Sequence, residues 1–340
     1  MPGCASLETP LTSSPCLPRR AALLLALSSV SGWAASGKSS DWPTKPIRLL
    51  VGFPGGSSPD AVARILAEPL GKALGQPVIV DNRPGASGNI AADMVARSTD
   101  DHTLGVMING NLTIAKLLNP RTAYDPAKDL APISLVATAP LVLCAPANAP
   151  GGTAKEFMAA ARQAGNHWSY GTPGVGTVGH IGMELLNANA GLAAVHVPYP
   201  GNPQVVTAMI SGQIQLALLP PGLAMAQVQA GRLKAIGVTS AGRSTLVPDL
   251  PSLGELGVVG QDFQLEIWDA VAAPASLPKP VAARLSALFS EIARTPEVRQ
   301  KLFQQGWQAV GSSAEGLANR MKADTALLGR VIAARGIKAE

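Results

Sequence analysis

Glycine and serine residues between two regular elements form the first candidate binding loop of this chain. The sequence Pro54-Gly55-Gly56-Ser57-Ser58 follows a short apolar run that starts at Ile47, and it precedes a helical pattern that begins near Pro59-Asp60. Backbone N–H groups at a helix start have no intrahelical partner, and the helix dipole adds partial positive charge there. The loop is therefore suited to bind an anion without a catalytic side chain. The alternative is that Gly55-Gly56 only tightens the turn and Asp60 only caps the helix.

Two more helix starts have the same character. A glycine and threonine loop over 171–177 precedes a helix predicted over 178–189. His180, in its first turn, could bind a ligand carboxylate or tie the loop to its own lobe; the structural role is favoured because a lone histidine is weak evidence for a site. Ser87-Gly88-Asn89 is a third candidate anion donor. Its surroundings, 83–92, lack the G-x-G opening and the later acidic residue of a dinucleotide site, so no nucleotide cofactor is expected.

Catalysis needs a nucleophile and a base that converge, and no motif of that kind is present. A hydrolase would recruit Ser57 or Ser58 with Asp60 and His180, but the sequence has no G-x-S-x-G elbow and its four histidines show no pairing pattern. It also lacks the histidine spacing and the carboxylate cluster of a metal site. We therefore expect no enzyme activity, no metal and no cofactor.

Composition narrows the class of protein. The chain has 340 residues, which is enough for two domains of ordinary size, and it is 47% hydrophobic and 14% charged. The net charge of +5 is spread along the sequence without a lysine or arginine block, so nucleic acid is not an expected partner. No apolar run reaches the ~18 residues of a membrane span.

The N-terminal residues have the layout of an export signal. Arg19-Arg20 precedes an apolar core over 21–30, and small residues follow, with cleavage expected after Ala34 or Ala35. The rival interpretation is a disordered tail followed by a short core helix. We expect a signal peptide over 1–35 and a soluble periplasmic protein. Its one remaining cysteine, Cys144, lies in a strand-like context typical of a core residue.

Strand, loop and helix patterns then alternate along the chain, which predicts α/β lobes with doubly wound, mostly parallel sheets. Long extended stretches over 132–145 and 263–273 are expected to join two such lobes as hinge strands. The predicted first lobe is 42–138 plus 265–340, and the predicted second lobe is 139–264. In open α/β sheets ligands bind at the carboxyl ends of the strands, so each lobe would present a glycine loop to the cleft, which could close around a ligand.

Motifs in order along the whole mature chain resemble the Bug/TctC family, the periplasmic solute receptors of tripartite tricarboxylate transporters. They include the opening Trp42-Pro43-Thr44-Lys45-Pro46-Ile47-Arg48, the turn and helix over 53–64, and Asp81-Asn82-Arg83-Pro84-Gly85-Ala86. They continue with Tyr170-Gly171-Thr172-Pro173-Gly174-Val175-Gly176-Thr177, Val197-Pro198-Tyr199-Pro200-Gly201 and Pro248-Asp249-Leu250-Pro251. The resemblance implies a Venus flytrap receptor that binds a small organic anion, commonly a carboxylate, between its lobes.

Site residues follow from the resemblance. The implied ligand contacts are Phe53, Pro54, Gly55, Ser57, Ser58, Asp60, Ser87, Gly88, Asn109 and Gly110 in the first lobe, and Thr172, Gly174, Thr177, Tyr199 and Asn202 in the second, with His180 as a further candidate. Ser57 stands where the family usually has glycine, Gln215 lies in a strand that often carries an acidic residue, and Pro200 replaces a common lysine. These departures affect which ligand is bound.

The expected function is capture of a small carboxylate for a permease of the tripartite tricarboxylate type, by a monomer without catalysis. Two alternatives stay open from the sequence. The protein could be an orphan ligand sensor that serves a signalling partner. Less in keeping with its motifs, it could be a periplasmic hydrolase or isomerase built on the same two lobes.

Overall fold

The structure is a computed structural model that describes residues 42–260 and 263–337. The predicted signal peptide, 1–35, lies outside the described residues. No helix within the described ranges is long and apolar enough to cross a membrane.

The described residues form eleven strands and ten α-helices, which alternate through most of the chain. The strands are β1 (Ile47–Val51), β2 (Val78–Asn82), β3 (Thr103–Ile108), β4 (Leu130–Pro140), β5 (Val142–Pro146), β6 (Ser169–Thr172), β7 (Val195–Pro198), β8 (Ala217–Leu219), β9 (Leu233–Val238), β10 (Glu266–Pro274) and β11 (Gln308–Ala309). The helices are α1 (Ser58–Leu74), α2 (Asn89–Ala96), α3 (Ala115–Leu118), α4 (Ala154–Ala164), α5 (Val178–Ala190), α6 (Asn202–Ile210), α7 (Pro221–Gln229), α8 (Lys279–Arg294), α9 (Pro296–Gln304) and α10 (Ala314–Arg335).

A six-stranded sheet with the order β11-β4-β10-β3-β1-β2 organises the first lobe. Strands β2, β1 and β3 pair in parallel, as the sequence predicts. Strand β10 instead runs antiparallel to both β3 and β4. The reason is the path of the chain, which leaves this lobe along β4 and returns along β10 in the opposite direction. The sheet is consequently mixed, with its parallel part at the end that holds the first binding loop.

Both faces of this sheet are buried, which explains the continuous apolar sequence of β1. Leu49 and Val51 pack with α1, α8 and α9 on one face, whereas Leu50 packs with α2 and with Trp268 on the other. The alternation follows from the two-residue period of a strand. The first lobe is thus a three-layer α/β unit.

The second lobe contains an antiparallel sheet, β8-β5-β9, and a parallel pair, β6-β7. A bridge between Tyr170 and Leu216 links the two. The parallel pairing expected here is found between β6 and β7 and at the bridge from Tyr170 to Leu216. Strand β5 enters directly from β4 and runs against both of its neighbours, β8 and β9. The sequence pattern predicts a strand over 214–219, of which β8 covers Ala217–Leu219, and it does not predict helix α7, which starts at Pro221.

The C-terminal helix α10 packs on both lobes. Leu317 near its start belongs to the first-lobe core, whereas Leu328 and Ile332 belong to the second-lobe core. Between them, Asp324 Oδ2 accepts a hydrogen bond of 2.7 Å from Trp268 Nε1 on β10. The sequence predicts that the terminal helices return to the first lobe. Helices α8 and α9 pack there, and α10 continues past the crossing strands onto the second lobe.

Replacing Leu104 by alanine tests the buried sheet face. Leu104 on β3 is fully buried in the first-lobe core. We expect Leu104→Ala to lower the free energy of unfolding by about 2–5 kcal/mol, because it removes buried methyl groups and leaves a cavity. Urea denaturation measures the change. The control is Leu327→Ala on α10, where the side chain is 50% exposed and the same substitution should cost under about 1 kcal/mol. Equal costs would contradict the packing described above.

Candidate functional site

The first binding loop lies at the carboxyl end of β1, on the parallel side of the sheet. Ser57 is the N-cap residue of α1 and Ser58 its first residue, with Pro59 directly after them. The two serines are 2% and 7% exposed, and their hydroxyl oxygens have no hydrogen-bond partner among the described residues. Ser57 makes no side-chain cap to its helix. Buried hydroxyls without partners are costly, so both are available to a bound molecule.

Asp60 supports this loop from behind. Its Oδ2 accepts a hydrogen bond of 2.9 Å from Gly56 N, and its Oδ1 accepts one of 2.9 Å from Asn82 Nδ2. Arg64 forms an ion pair with it at 3.0 Å. Burial by itself raises the pKa of Asp60, but the hydrogen bonds from Arg64, Gly56 and Asn82 outweigh burial and leave the pKa below its usual value. Asp60 is therefore ionised and fully engaged, and it holds the turn in place.

The loop of the second lobe has a comparable internal scaffold at the start of α5. Thr177 Oγ1 accepts a 3.4 Å hydrogen bond from His180 N and donates one of 2.8 Å to Gly174 O. His180 Nδ1 accepts a hydrogen bond of 3.3 Å from Gly176 N. Burial lowers the pKa of His180 to about 4, so the ring is neutral at pH 7 and can accept at Nδ1. These bonds tie His180 to its own loop.

A third loop, 85–88, reaches from the first lobe to the second. All four of its residues have positive φ angles. The angles of Ala86 and Ser87 are 47° and 55°, in a region that residues other than glycine rarely adopt. The conformation is held by Asn111, whose Nδ2 donates to Ser87 O at 3.0 Å and to Asn89 Oδ1 at 2.9 Å. Backbone strain of this kind persists where surrounding contacts over-determine it.

The two lobes meet across the cleft at several glycines. A side chain added at Gly174 would overlap Ser87, and one at Gly110 would lie 2.8 Å from Gly176 O. The Cβ position of Gly201 is 3.0 Å from Pro54 Cδ. A Cβ at Gly110 would therefore clash with the backbone of the opposite lobe, and a Cβ at Gly174 or Gly201 would crowd one of its side chains. The lobes are thus in contact around the cleft.

One cavity of about 50 Å³ lies between the two lobes and receives residues from both. Predicted contacts that line it are Phe53, Ser57, Ser58, Asn109, Thr177 and Asn202. Lining residues without a sequence prediction are Pro59, Ile108, Leu141, Pro173, Val178, Gly179, Leu218, Pro220, Ile267, Asp269 and Trp307. The starts of α1, α5 and α6 all contribute, so the cavity is where the predicted binding loops converge.

The remaining predicted contacts are not among the residues that line this cavity. Ser87 and Gly110 line a neighbouring cavity of about 220 Å³. Pro54 and Gly174 contact the opposite lobe, as described above, and Gly55 is exposed. Gly88 packs under Phe53, Asp60 and His180 brace their loops, and Tyr199 packs against the second-lobe core. Thr172 Oγ1 is 2.7 Å from His196 Nε2.

Two asparagines add amide groups to the cavity. Asn109 follows β3 and is 1% exposed; its Nδ2 donates a hydrogen bond of 3.1 Å to Glu266 O, and its Oδ1 has no partner within the described ranges. Asn202 begins α6, and its buried Oδ1 likewise accepts from no described group. Both carbonyl oxygens can accept a hydrogen bond from a ligand.

Asp269 is the polar lining residue that the sequence analysis does not identify. It lies on β10, is 1% exposed and lines the cavity. Burial raises the pKa of its carboxyl group well above the usual value. A signal exists in the sequence, since Asp269 is an acidic residue inside the apolar strand Ile267-Trp268-Asp269-Ala270-Val271. The partner strands that bury it are far away in the chain, so the pattern alone does not assign it to the site.

The lining has hydroxyl, amide, backbone and apolar groups and one carboxyl group, but no histidine, cysteine, lysine or arginine among the described residues. No group of three or more potential metal ligands occurs in the described parts of the chain. These side chains can accept and donate hydrogen bonds around a small molecule. The helix starts of α1 and α5 add the positive ends of two helix dipoles.

Sequence comparisons find a family model and relatives that match most of this chain. The family model described as "Tripartite tricarboxylate transporter family receptor" matches residues 62–337. The UPF0065 protein in the tcbD-tcbE intergenic region of Pseudomonas sp. is 32% identical over 309 residues, covering 90% of this chain and 91% of that protein.

Solved structures of similar proteins have the same overall fold. MatC from Rhodopseudomonas palustris with bound malate is 28% identical, with a TM-score of 0.80 over 86% of this chain and 100% of that one. Another R. palustris protein, with adipate, is 28% identical, with a TM-score of 0.84 over 87% of this chain and 99% of that one. The two-lobe fold class predicted from the sequence is thereby confirmed.

Replacing Asp60 by asparagine tests the support of the first loop. An amide cannot accept the same set of hydrogen bonds from Arg64 and Gly56, so we expect Asp60→Asn to lower the free energy of unfolding at pH 7 by about 1–3 kcal/mol. The pKa of Asp60 lies below the usual 3.8, so its contribution is present above pH 3.8 and is lost as the pH falls through the folded-state value.

The measurement is urea denaturation of both proteins from pH 7 to about pH 2, where the stability difference should shrink towards zero. Asp249→Asn, at an exposed position, is the control and should change stability by under about 0.5 kcal/mol at any pH. A difference between wild type and Asp60→Asn that grows in acid would contradict the assignment.

Proposed function

This chain belongs to the TctC family of tripartite tricarboxylate transporter receptors, and we propose on that premise that it captures a small organic carboxylate between its lobes for a membrane permease. The family resemblance noted from the sequence is confirmed, and the function of this family is solute binding. The choice of a carboxylate, the delivery to a tripartite tricarboxylate permease and the absence of a catalytic step are our proposals.

The observation that carries the proposal is the meeting of two helix N-termini at one cavity with buried, unpartnered hydroxyl groups. Helices α1 and α5 both start at the cavity, where Ser57, Ser58, Val178 and Gly179 line it. Main-chain N–H groups and hydroxyls can bind a carboxylate there without a buried lysine or arginine. The malate and adipate in two similar structures support this ligand class.

The proposed contacts are the predicted residues that line the cavity: Phe53, Ser57, Ser58, Asn109, Thr177 and Asn202. We propose the sequence-based lobe boundaries as the bodies that close on the ligand, with 42–138 and 265–340 in one and 139–264 in the other. We also propose that the protein acts in the periplasm as a monomer after removal of residues 1–35.

A thermal-shift screen of residues 36–340 tests the ligand class. The panel contains di- and tricarboxylates, acidic amino acids, and aromatic acids such as nicotinate and phthalate. A ligand at about 100 times its dissociation constant should add about 2.7 kcal/mol of stability and raise the melting temperature visibly. A panel in which no carboxylate raises it overturns the proposal.

Replacing Ser58 by alanine tests the position of the site with any ligand from that screen. The hydroxyl of Ser58 has no partner among the described residues, so its removal should leave the stability of the unliganded protein within about 0.5 kcal/mol. Affinity should fall about five- to tenfold, because a hydrogen bond to the ligand is lost.

Isothermal titration measures this affinity, with Ser276→Ala at an exposed position as the matched control. The control should bind like wild type. Wild-type affinity in Ser58→Ala would place the ligand elsewhere.

A further inference from the structure

Asp269 occupies the face of β10 that would otherwise continue the first-lobe core. Side chains on a strand alternate between its two faces, so Asp269 shares a face with Ile267 and Val271. Val271 packs in the core with α1 and α8, whereas Ile267 and Asp269 line the cavity. The register of β10 against β4 shifts between Asp269 and Ala270, where Val136 of β4 is left without a partner on β10. The strand therefore presents a carboxyl group to the cavity at the end of an apolar face.

Neither carboxyl oxygen of Asp269 has a hydrogen-bond partner among the described residues, although the side chain is 1% exposed. Asp60 is a useful comparison within the same protein. It is 3% exposed, and its carboxylate is engaged by Gly56, Asn82 and Arg64. A buried carboxyl group that lacks such partners is costly unless it is neutral or a bound group compensates it. Among the described residues, Asp269 thus has no counterpart to the groups that stabilise the Asp60 carboxylate.

Asp269 is also the one ionisable side chain among the described residues that line the cavity. The remaining polar contributions are hydroxyls, amides and main-chain groups. The helix starts at Ser58 and Val178 favour a negative group, whereas the carboxyl of Asp269 favours a positive one. The same small cavity, of about 50 Å³, therefore has two regions of opposite preference.

We propose, on the basis of the proposed function, that the ligand is a small zwitterion whose carboxylate binds at the helix starts and whose protonated amine pairs with Asp269. Both groups lie on one molecule, as in a short amino acid. The amine donates hydrogen bonds to the carboxylate oxygens of Asp269 and compensates its charge. The size of the cavity favours a compact ligand, because each additional group needs space between lobes that are already in contact.

The competing outcome is a neutral Asp269 that donates a hydrogen bond to an oxygen of the ligand. A protonated carboxyl group can act in this way in an apolar site. In that case the amine is unnecessary, and a carboxylate without it binds equally well. The two outcomes differ in the effect of removing the amine from the ligand, which can be measured directly.

The test uses pairs of ligands that differ only in the amine: aspartate with succinate, glutamate with glutarate, and 4-aminobutyrate with butyrate. Isothermal titration of the wild-type protein should show that the better amine-bearing acid binds at least about tenfold more tightly than its partner, as expected for a charge-assisted hydrogen bond. Asp269→Asn should lower the affinity for that amine-bearing acid about tenfold or more. It should change the affinity for the acid without the amine by less than about threefold.

Asp249→Asn, which changes an exposed aspartate, is the matched control and should bind both acids of a pair like wild type.

Asp269→Asn is nearly isosteric and removes an uncompensated buried acid, so its melting temperature without ligand should equal or exceed that of wild type. Should this variant fail to fold, the ligand pairs with wild-type protein decide the question alone. A structural role for Asp269 predicts lower stability and an equal loss for both members of a pair.

Each result has one interpretation. Carboxylates that bind equally well with and without the amine overturn the inference and leave the proposed function standing. A protein that binds no carboxylate of either kind overturns the proposed function as well. Binding of amines that lack a carboxylate, such as butylamine, would support the pairing of an amine with Asp269. It would overturn the proposal that a ligand carboxylate binds at the helix starts.

Discussion

The backbone pairing of β4 with β10 is the interaction on which the rest of the structure depends. The two strands run in opposite directions and pair from Leu130 with Pro274 to Pro140 with Glu266. They lie side by side in the first-lobe sheet, between β11 and β3, and are also the two connections to the second lobe. A change in their register would therefore move the lobes and, at the same time, change which side chains face the cavity.

The cavity lies beside this crossing. Ile267 and Asp269 line it from β10, and Leu141 lines it directly after β4. Helix α10 packs across the same place, where Asp324 accepts a hydrogen bond from Trp268. The base of the site is consequently built from hydrogen-bonded strands, whereas its sides come from loops. A rigid base with loops around it is a suitable arrangement for lobes that close on a ligand.

Asp60 and Asp269 show how a protein with few charges uses them at one site. Both are buried carboxyl groups within or beside the cleft, and their pKa values are shifted in opposite directions. Arg64, Gly56 and Asn82 stabilise the ionised form of Asp60, so it acts as a fixed part of the scaffold. Asp269 faces the cavity without such support. Ser57, which stands where the resembled family usually has glycine, adds a buried hydroxyl to the same space.

The sequence by itself determined the local elements and most of the loops. Apolar runs and glycine turns predict β1, the turn before α1 and the start of α5, because a strand, a turn and a helix each depend on neighbouring residues. Only the tertiary structure decided that Asp269 and Trp307 join Ser57 and Thr177 at one cavity, that α7 forms, and that α10 extends to the second lobe. Burial, missing partners and the meeting of distant segments depend on how the strands pair and the lobes pack, and no spacing along the chain contains that information.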